Sequence, residues 1–171
     1  MKNSEKINPE LYKLDAIELA PLLLGVKLCC NLDGKIVKFR ITETEAYFGE
    51  DDTACHAYKG KTERTKILYE AGGVAYVYLC YGIHNLLNIV CGEKNFPQAV
   101  LIRSVENFNG PGKLTKALNI NRTLNGENLI SSNRLWLEDD GIRFAYKTDK
   151  RIGIDYATPE YRDKLWRFIK I

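Results

Sequence analysis

The residues best suited to chemistry fall within residues 41–56, ITETEAYFGEDDTACH, where Glu45, Tyr47 and His56 place a carboxylate, an aromatic ring and an imidazole close together in the chain. A carboxylate can activate water as a general base, an imidazole can exchange protons, and an aromatic face can hold a planar ligand. Glu45 supports two readings, a general base or a carboxylate ion-paired at a strand end, and Arg103 in AVLIRSVE is the plausible partner in either case. Glu43 is the rival base, two residues earlier. In an unbroken strand Glu43, Glu45 and Tyr47 share a face with Val37, Phe39 and Ile41, which marks that face as the core side. A carboxylate carried to the edge of a core is costly unless it is partnered.

Six of the ten tyrosines lie between Tyr47 and Tyr81. Tyr76 and Tyr78 share one strand face, and Tyr81 precedes Gly82 at a turn where its ring can project. Strand propensity accounts for any one tyrosine. A cluster also suits a stacking platform, at ~1–3 kcal/mol per stacked base. Lys59, Lys61, Arg64 and Lys66 follow, opposed only by Glu63, and fit either a solvated loop or phosphate contacts. The acidic stretch Glu50, Asp51, Asp52 with Cys55 and His56 matches no metal-ligand spacing and reads as a solvated loop, so no metal is expected. No phosphate-cradling glycine loop, dinucleotide fingerprint or nucleophile elbow is present.

Asp15 and Glu18 form a capping-box signature opening a short helix over IELAPLLL, with Pro21 awkward inside it. Residues 26–31 and 35–47 are strands joined at Asp33-Gly34, which suits a type I′ turn. Residues 49–70 are polar loop with a helical turn near 66–70. Strands follow at 74–81, 86–91 and 99–106, then Gly110-Pro111-Gly112 opens a helix over KLTKAL. Residues 119–133 read as loop, and short strands are expected at 134–138, 151–154 and 165–171. Strands joined by short connections, with few helices, predict an α+β fold built on a curved, mainly antiparallel sheet with peripheral helices.

A chain of 171 residues fits one domain spanning 1–171. A net charge of +3 is mild and does not by itself argue for nucleic acid. Five cysteines without a CxxC pair, and an N-terminal stretch without an apolar signal core, predict a cytoplasmic protein with buried thiols. No apolar run approaches the ~20 residues of a membrane span, and no stripe suggests anything beyond a monomer.

Taken together, ETEAY at 43–47, His56, YVYLCYGIHNLLN at 76–88, AVLIRSVE at 99–106, GPGKLTKAL at 110–118 and RIGIDYA at 151–157 closely resemble the methylpurine (3-methyladenine or alkyladenine) DNA glycosylase family, from about Leu19 to the C-terminus. The resemblance implies base excision repair: a damaged purine is flipped from double-stranded DNA and its N-glycosidic bond is hydrolysed. It implies Glu45 as the base that activates water, with Arg103 holding that site and the nearby phosphate. It implies Tyr47, His56 and Tyr78 as walls stacking on the flipped base, Asn88 as a pocket residue that rejects guanine, and Tyr81 as the ring that fills the gap in the duplex. The charge cluster of Lys59, Lys61, Arg64 and Lys66 remains the candidate for DNA-backbone contacts, and the reaction needs neither metal nor cofactor. Three departures stand out. Only Asn107, Phe108 and Asn109 separate Glu106 from Gly110 where the family carries a longer segment. Thr65 replaces a common asparagine, and Tyr69 with Ala71-Gly72-Gly73 replaces a Phe and a Pro-rich turn. The shortening mildly supports an alternative, a DNA-binding protein of the same fold whose catalysis is weak or lost. A hydrolase of free nucleosides is a third reading, under which Tyr81 has no role.

Overall fold

The computed structural model describes residues 3–171; Met1 and Lys2, part of the stretch read for an export signal, lie outside them. In chain order the elements are β1 (Glu5–Lys6), α1 (Ala16–Leu22), β2 (Lys27–Leu32), β3 (Lys35–Phe48), β4 (Val74–Cys80), β5 (His84–Val90), β6 (Gln98–Val105), β7 (Phe108–Asn109), α2 (Pro111–Ala117), β8 (Leu135–Asp139), β9 (Tyr146–Asp149), α3 (Pro159–Arg162) and β10 (Arg167–Lys170). Short 3-10 turns cover His56–Lys59 and Lys66–Tyr69. The sheet runs β1-β8-β2-β3-β6-β5-β4, with β10 paired to β3 and β9, and β7 to β6. Every pairing is antiparallel. This is the α+β, curved antiparallel architecture expected from the strand pattern.

Local chemistry explains the boundaries. The Asp15 carboxylate accepts the Glu18 N–H at 2.9 Å and caps α1. Pro21 falls in the last turn, and α1 ends one residue later. Asp33 and Gly34 both take positive φ, 51° and 91°, so the β2–β3 hairpin closes on a two-residue turn of the primed kind. The four cysteines Cys29, Cys30, Cys55 and Cys91 are buried, and Cys80 is half-buried.

β3 is the spine. Its first half pairs with β2 through Lys35 to Arg40, and its second half pairs with β10 through Glu43 to Glu45. Its other edge pairs with β6, and there the register slips twice. Ile41 faces Val105 and Glu43 faces Ser104, so Thr42 is an extra residue on β3; Thr44 then faces Ile102, so Arg103 is an extra residue on β6. These paired bulges overturn the unbroken alternation expected from the sequence. The main core receives Ile41, Thr44 and Ala46, all fully buried, with Thr44 Oγ1 donating to the Ala20 carbonyl of α1 at 2.8 Å. Glu43, Glu45 and Tyr47 are therefore turned to the opposite face, away from α1. The same bulge lets two consecutive residues, Arg103 and Ser104, reach that face.

Both faces of the central strands are covered. One carries the large core of α1, α2, Val77, Leu87, Ile89, Val100 and Ile102. The other carries a smaller cluster of Cys55, Ala57, Leu68, Tyr69, Tyr76, Val90 and Ala99, with Tyr47 and Tyr78 against it. Two further corrections concern strands. Residues 151–154, expected as a strand, form a turn, and β9 was not anticipated because all four of its residues are exposed and carry no apolar alternation.

Candidate active site

Beside the smaller cluster lies an open groove of about 710 Å³, lined by Tyr47, His56, Tyr78, Tyr81, Arg103 and Ile152 among others. The start of α2 closes one side, where a side chain at Gly112 would meet the His84 ring at 2.9 Å and require the imidazole to move aside.

Glu45 has no exposed surface and lies under this lining. Its Oε1 accepts the Ile152 N–H at 2.8 Å and its Oε2 accepts the Tyr47 hydroxyl at 2.8 Å. Arg103 Nη1 stands 3.4 Å away. Burial pushes the Glu45 carboxyl above its usual value, while Arg103, the Ile152 amide, the Tyr47 hydroxyl and Arg151 pull it down. Each oxygen accepts one hydrogen bond and so retains further acceptor capacity. Glu43, the rival base, is occupied: it takes Arg167 at 3.0 Å and the Ser104 hydroxyl at 3.0 Å, with Arg103 Nε at 3.6 Å. It faces an adjoining polar cleft, not the aromatic groove.

His56 and Tyr78 touch, with ring centroids 4.4 Å apart and near-perpendicular planes, so they form one wall. His56 Nδ1 is 2.9 Å from the Tyr76 hydroxyl. Burial, aided by the charge of Arg64, pushes the His56 imidazole down to about 4, so it is neutral at pH 7. Asn88 is buried one layer deeper and donates to the Tyr76 carbonyl at 3.3 Å. Between these groups and Tyr47 is a cavity of only about 20 Å³, room for about one water. Tyr81 stands at the rim on the β4–β5 hairpin, 87 % exposed and with φ of 51°. The structure thus brings Glu45, Arg103, Tyr47, His56, Tyr78 and Asn88 together and puts Tyr81 at the mouth.

The basic residues do not form one patch. Arg64 lines the groove, its guanidinium 5.5 Å from the Tyr78 ring centre. Lys59 borders a neighbouring groove shared with Arg64. Lys61 sits over Tyr69, and Lys66 is ion-paired to Glu63 at 2.7 Å.

A family model described as methylpurine-DNA glycosylase matches residues 10–109 and 106–170, nearly the whole chain. The chain belongs to the methylpurine-DNA glycosylase family. The two matched segments overlap at 106–109, where Glu106 and Asn107 make a tight turn and Val105 pairs with Phe108. A relative from Borreliella afzelii is 48 % identical over 167 residues, covering 90 % of each chain. Relatives from Natranaerobius thermophilus and Clostridium perfringens are 40 % and 41 % identical, covering 95 % of this chain and 94 % of their own. All three carry the name "Putative 3-methyladenine DNA glycosylase".

In this family member the sequence reading missed one pair. Asp52, read as part of a solvated loop, is fully buried and holds Arg151 at 2.6 and 2.9 Å. The burial of a residue flanked by Glu50, Asp51 and Thr53 carries no sequence signal, because its partner lies 99 positions away. Among the described residues no helix is long and apolar enough to cross a membrane.

Proposed function

We propose that the protein is a monofunctional glycosylase that removes alkylated purines, 3-methyladenine and related lesions, from double-stranded DNA. The observation that carries this reading is Glu45: a carboxylate buried under an aromatic-lined groove, oriented by an amide and a hydroxyl and accompanied by Arg103. The flipped nucleotide enters the groove, its base between the Tyr47 ring on one side and the His56–Tyr78 wall on the other, with Asn88 at the back. The water-sized cavity must widen as the base enters, by movement of the rings that line it. An alkylated purine is cationic, so it gains attraction from flanking rings and meets a neutral imidazole. Water held by Glu45 attacks C1′ as the N-glycosidic bond breaks. The bond's electron pair leaves with the base and cancels its charge, and the water proton passes to Glu45. The carboxylate also stabilises oxocarbenium-like charge, as carboxylates do in glycoside hydrolysis. Tyr81 fills the space left in the duplex, and Arg64, Arg103 and Lys113 are cations of the groove lining that can meet its phosphates.

The test is product analysis on methylated duplex DNA. Free 3-methyladenine and an intact strand bearing an abasic site are expected. Lesion DNA that is bound without base release would overturn the reading in favour of a binding protein, and strand scission or a reducible covalent adduct would replace water by an amine nucleophile.

A further inference from the structure

Arg151 has a fully buried side chain and touches two groups of the site at once. Its guanidinium lies 4.8 Å from the centre of the Tyr47 ring and 5.0 Å from that of Trp166, sandwiched between the two. Its nitrogens donate to both Asp52 oxygens, to the Ala46 carbonyl at 3.0 Å and to the Tyr161 carbonyl at 3.0 Å. Asp52 in turn accepts the Phe48 and Ala54 amides, each at 3.1 Å. The residue after Arg151 is Ile152, whose N–H is the amide donor to Glu45. The pair therefore joins the end of β3, the acidic loop and the 151–154 turn, and two of its connections end on Tyr47 and Glu45.

A buried ion pair is weak evidence for stability, because well-packed apolar residues of similar volume often serve as well. What such residues cannot supply is a planar, bidentate fork that fixes an angle and stacks on a ring. We propose that Arg151, locked by Asp52, is a positioning residue of this site: it sets the Tyr47 ring from one face and, through Ile152, the orientation of the Glu45 carboxylate. This rests on the reading of Glu45 given above.

The groups facing Glu45 are Arg103 from β6, Tyr47 on its own strand, Tyr78 from β4, and Arg151 with its counter-ion Asp52; Arg167 stands directly across from Glu45 on β10 and is ion-paired to Glu43, which also approaches Arg103. Removing either half of the Asp52–Arg151 pair thus changes the charge near Glu45 in opposite senses. Arg151→Met leaves Asp52 uncompensated and disfavours ionised Glu45. Asp52→Asn leaves Arg151 uncompensated and favours it.

The experiment is the pH profile of single-turnover base release from methylated duplex, with lesion-duplex affinity measured alongside. Both single variants are expected to lose on the order of 10²-fold in rate while binding holds within a few-fold. The acid limb should move to higher pH in Arg151→Met and to lower pH in Asp52→Asn. Arg151→Lys, which keeps the charge without the fork, should keep the limb in place and still lose rate. The double variant Asp52→Asn/Arg151→Met, which removes both charges and should refold best, should return the limb to its wild-type position. A limb that is absent or unmoved in both single variants, or rate losses matched by lost binding and lost folded fraction, would overturn the positioning role. Wild-type protein that releases no base would instead overturn the glycosylase reading itself.

Discussion

Replacing Tyr81 by glycine separates the structural from the functional role of the hairpin tip. Tyr81 is 87 % exposed, so its ring contributes almost no burial to the fold. Its φ of 51° is left-handed, as is that of Gly82 at 67°, in the three-residue link between Cys80 and His84. A left-handed non-glycine residue costs ~1–2 kcal/mol. Glycine removes that cost but adds roughly 0.5–1 kcal/mol of backbone entropy to the unfolded chain. The two offset, and the melting midpoint should stay within about 2–4 °C, the shift that 1 kcal/mol produces in a chain of this size. The ring's stacking in the vacated duplex is a different matter. Its loss removes ~1–3 kcal/mol, or roughly 5- to 150-fold in the flipped population. The assay is single-turnover base release from one lesion in duplex and in single-stranded DNA. The duplex rate should fall by that factor while the single-strand rate holds, since a single strand leaves no gap to fill. An unchanged duplex rate, or equal loss on both substrates, would refute the argument.

Other expectations follow from the same site. His56 is held at about 4 in the fold against 6.5 when free, so the folded state resists its protonation. The stability it contributes is present above about pH 6.5 and is lost as pH falls towards about 4, and a His56→Phe variant should show a flatter melting midpoint across that range; parallel curves would sink the assignment. Glu45 is raised by burial, so its ionised form destabilises the fold at pH 7, and Glu45→Gln should melt at a higher temperature than wild type there. A lower midpoint would mean that its charge is fully compensated. For DNA affinity against salt, Arg64→Ala should reduce the log–log slope by ~0.9. Lys66→Ala should leave it unchanged, because Lys66 is already neutralised by Glu63. Equal slopes for the two variants would remove the distinction.

Much of the fold was legible because its signals are local. Asp15 caps α1, Asp33-Gly34 closes β2 onto β3, and the apolar runs of β4, β5 and β6 mark strands. Glu45, Tyr47, His56, Tyr78 and Arg103, each singled out in the sequence, lie together around one groove. Three features were not legible. The paired bulges at Thr42 and Arg103 invert the face of β3, and nothing in ITETEAY betrays an extra residue. The 151–154 turn has a strand-like composition, yet its amide is spent on a side chain, Glu45, and not on a neighbouring strand. The Asp52–Arg151 pair joins two loops that only the folded sheet brings together. Each depends on contacts distant in sequence, which local propensity does not encode.

The proposed chemistry turns on Glu45 as the group that activates the water cleaving the glycosidic bond. Its most direct test is single-turnover release of 3-methyladenine from methylated duplex DNA, wild type beside Glu45→Gln, with lesion binding measured for both. Release by wild type is expected, with a loss on the order of 10²–10⁴-fold in the variant and binding retained in each. Release by Glu45→Gln at the wild-type rate would contradict it and move the base to another group.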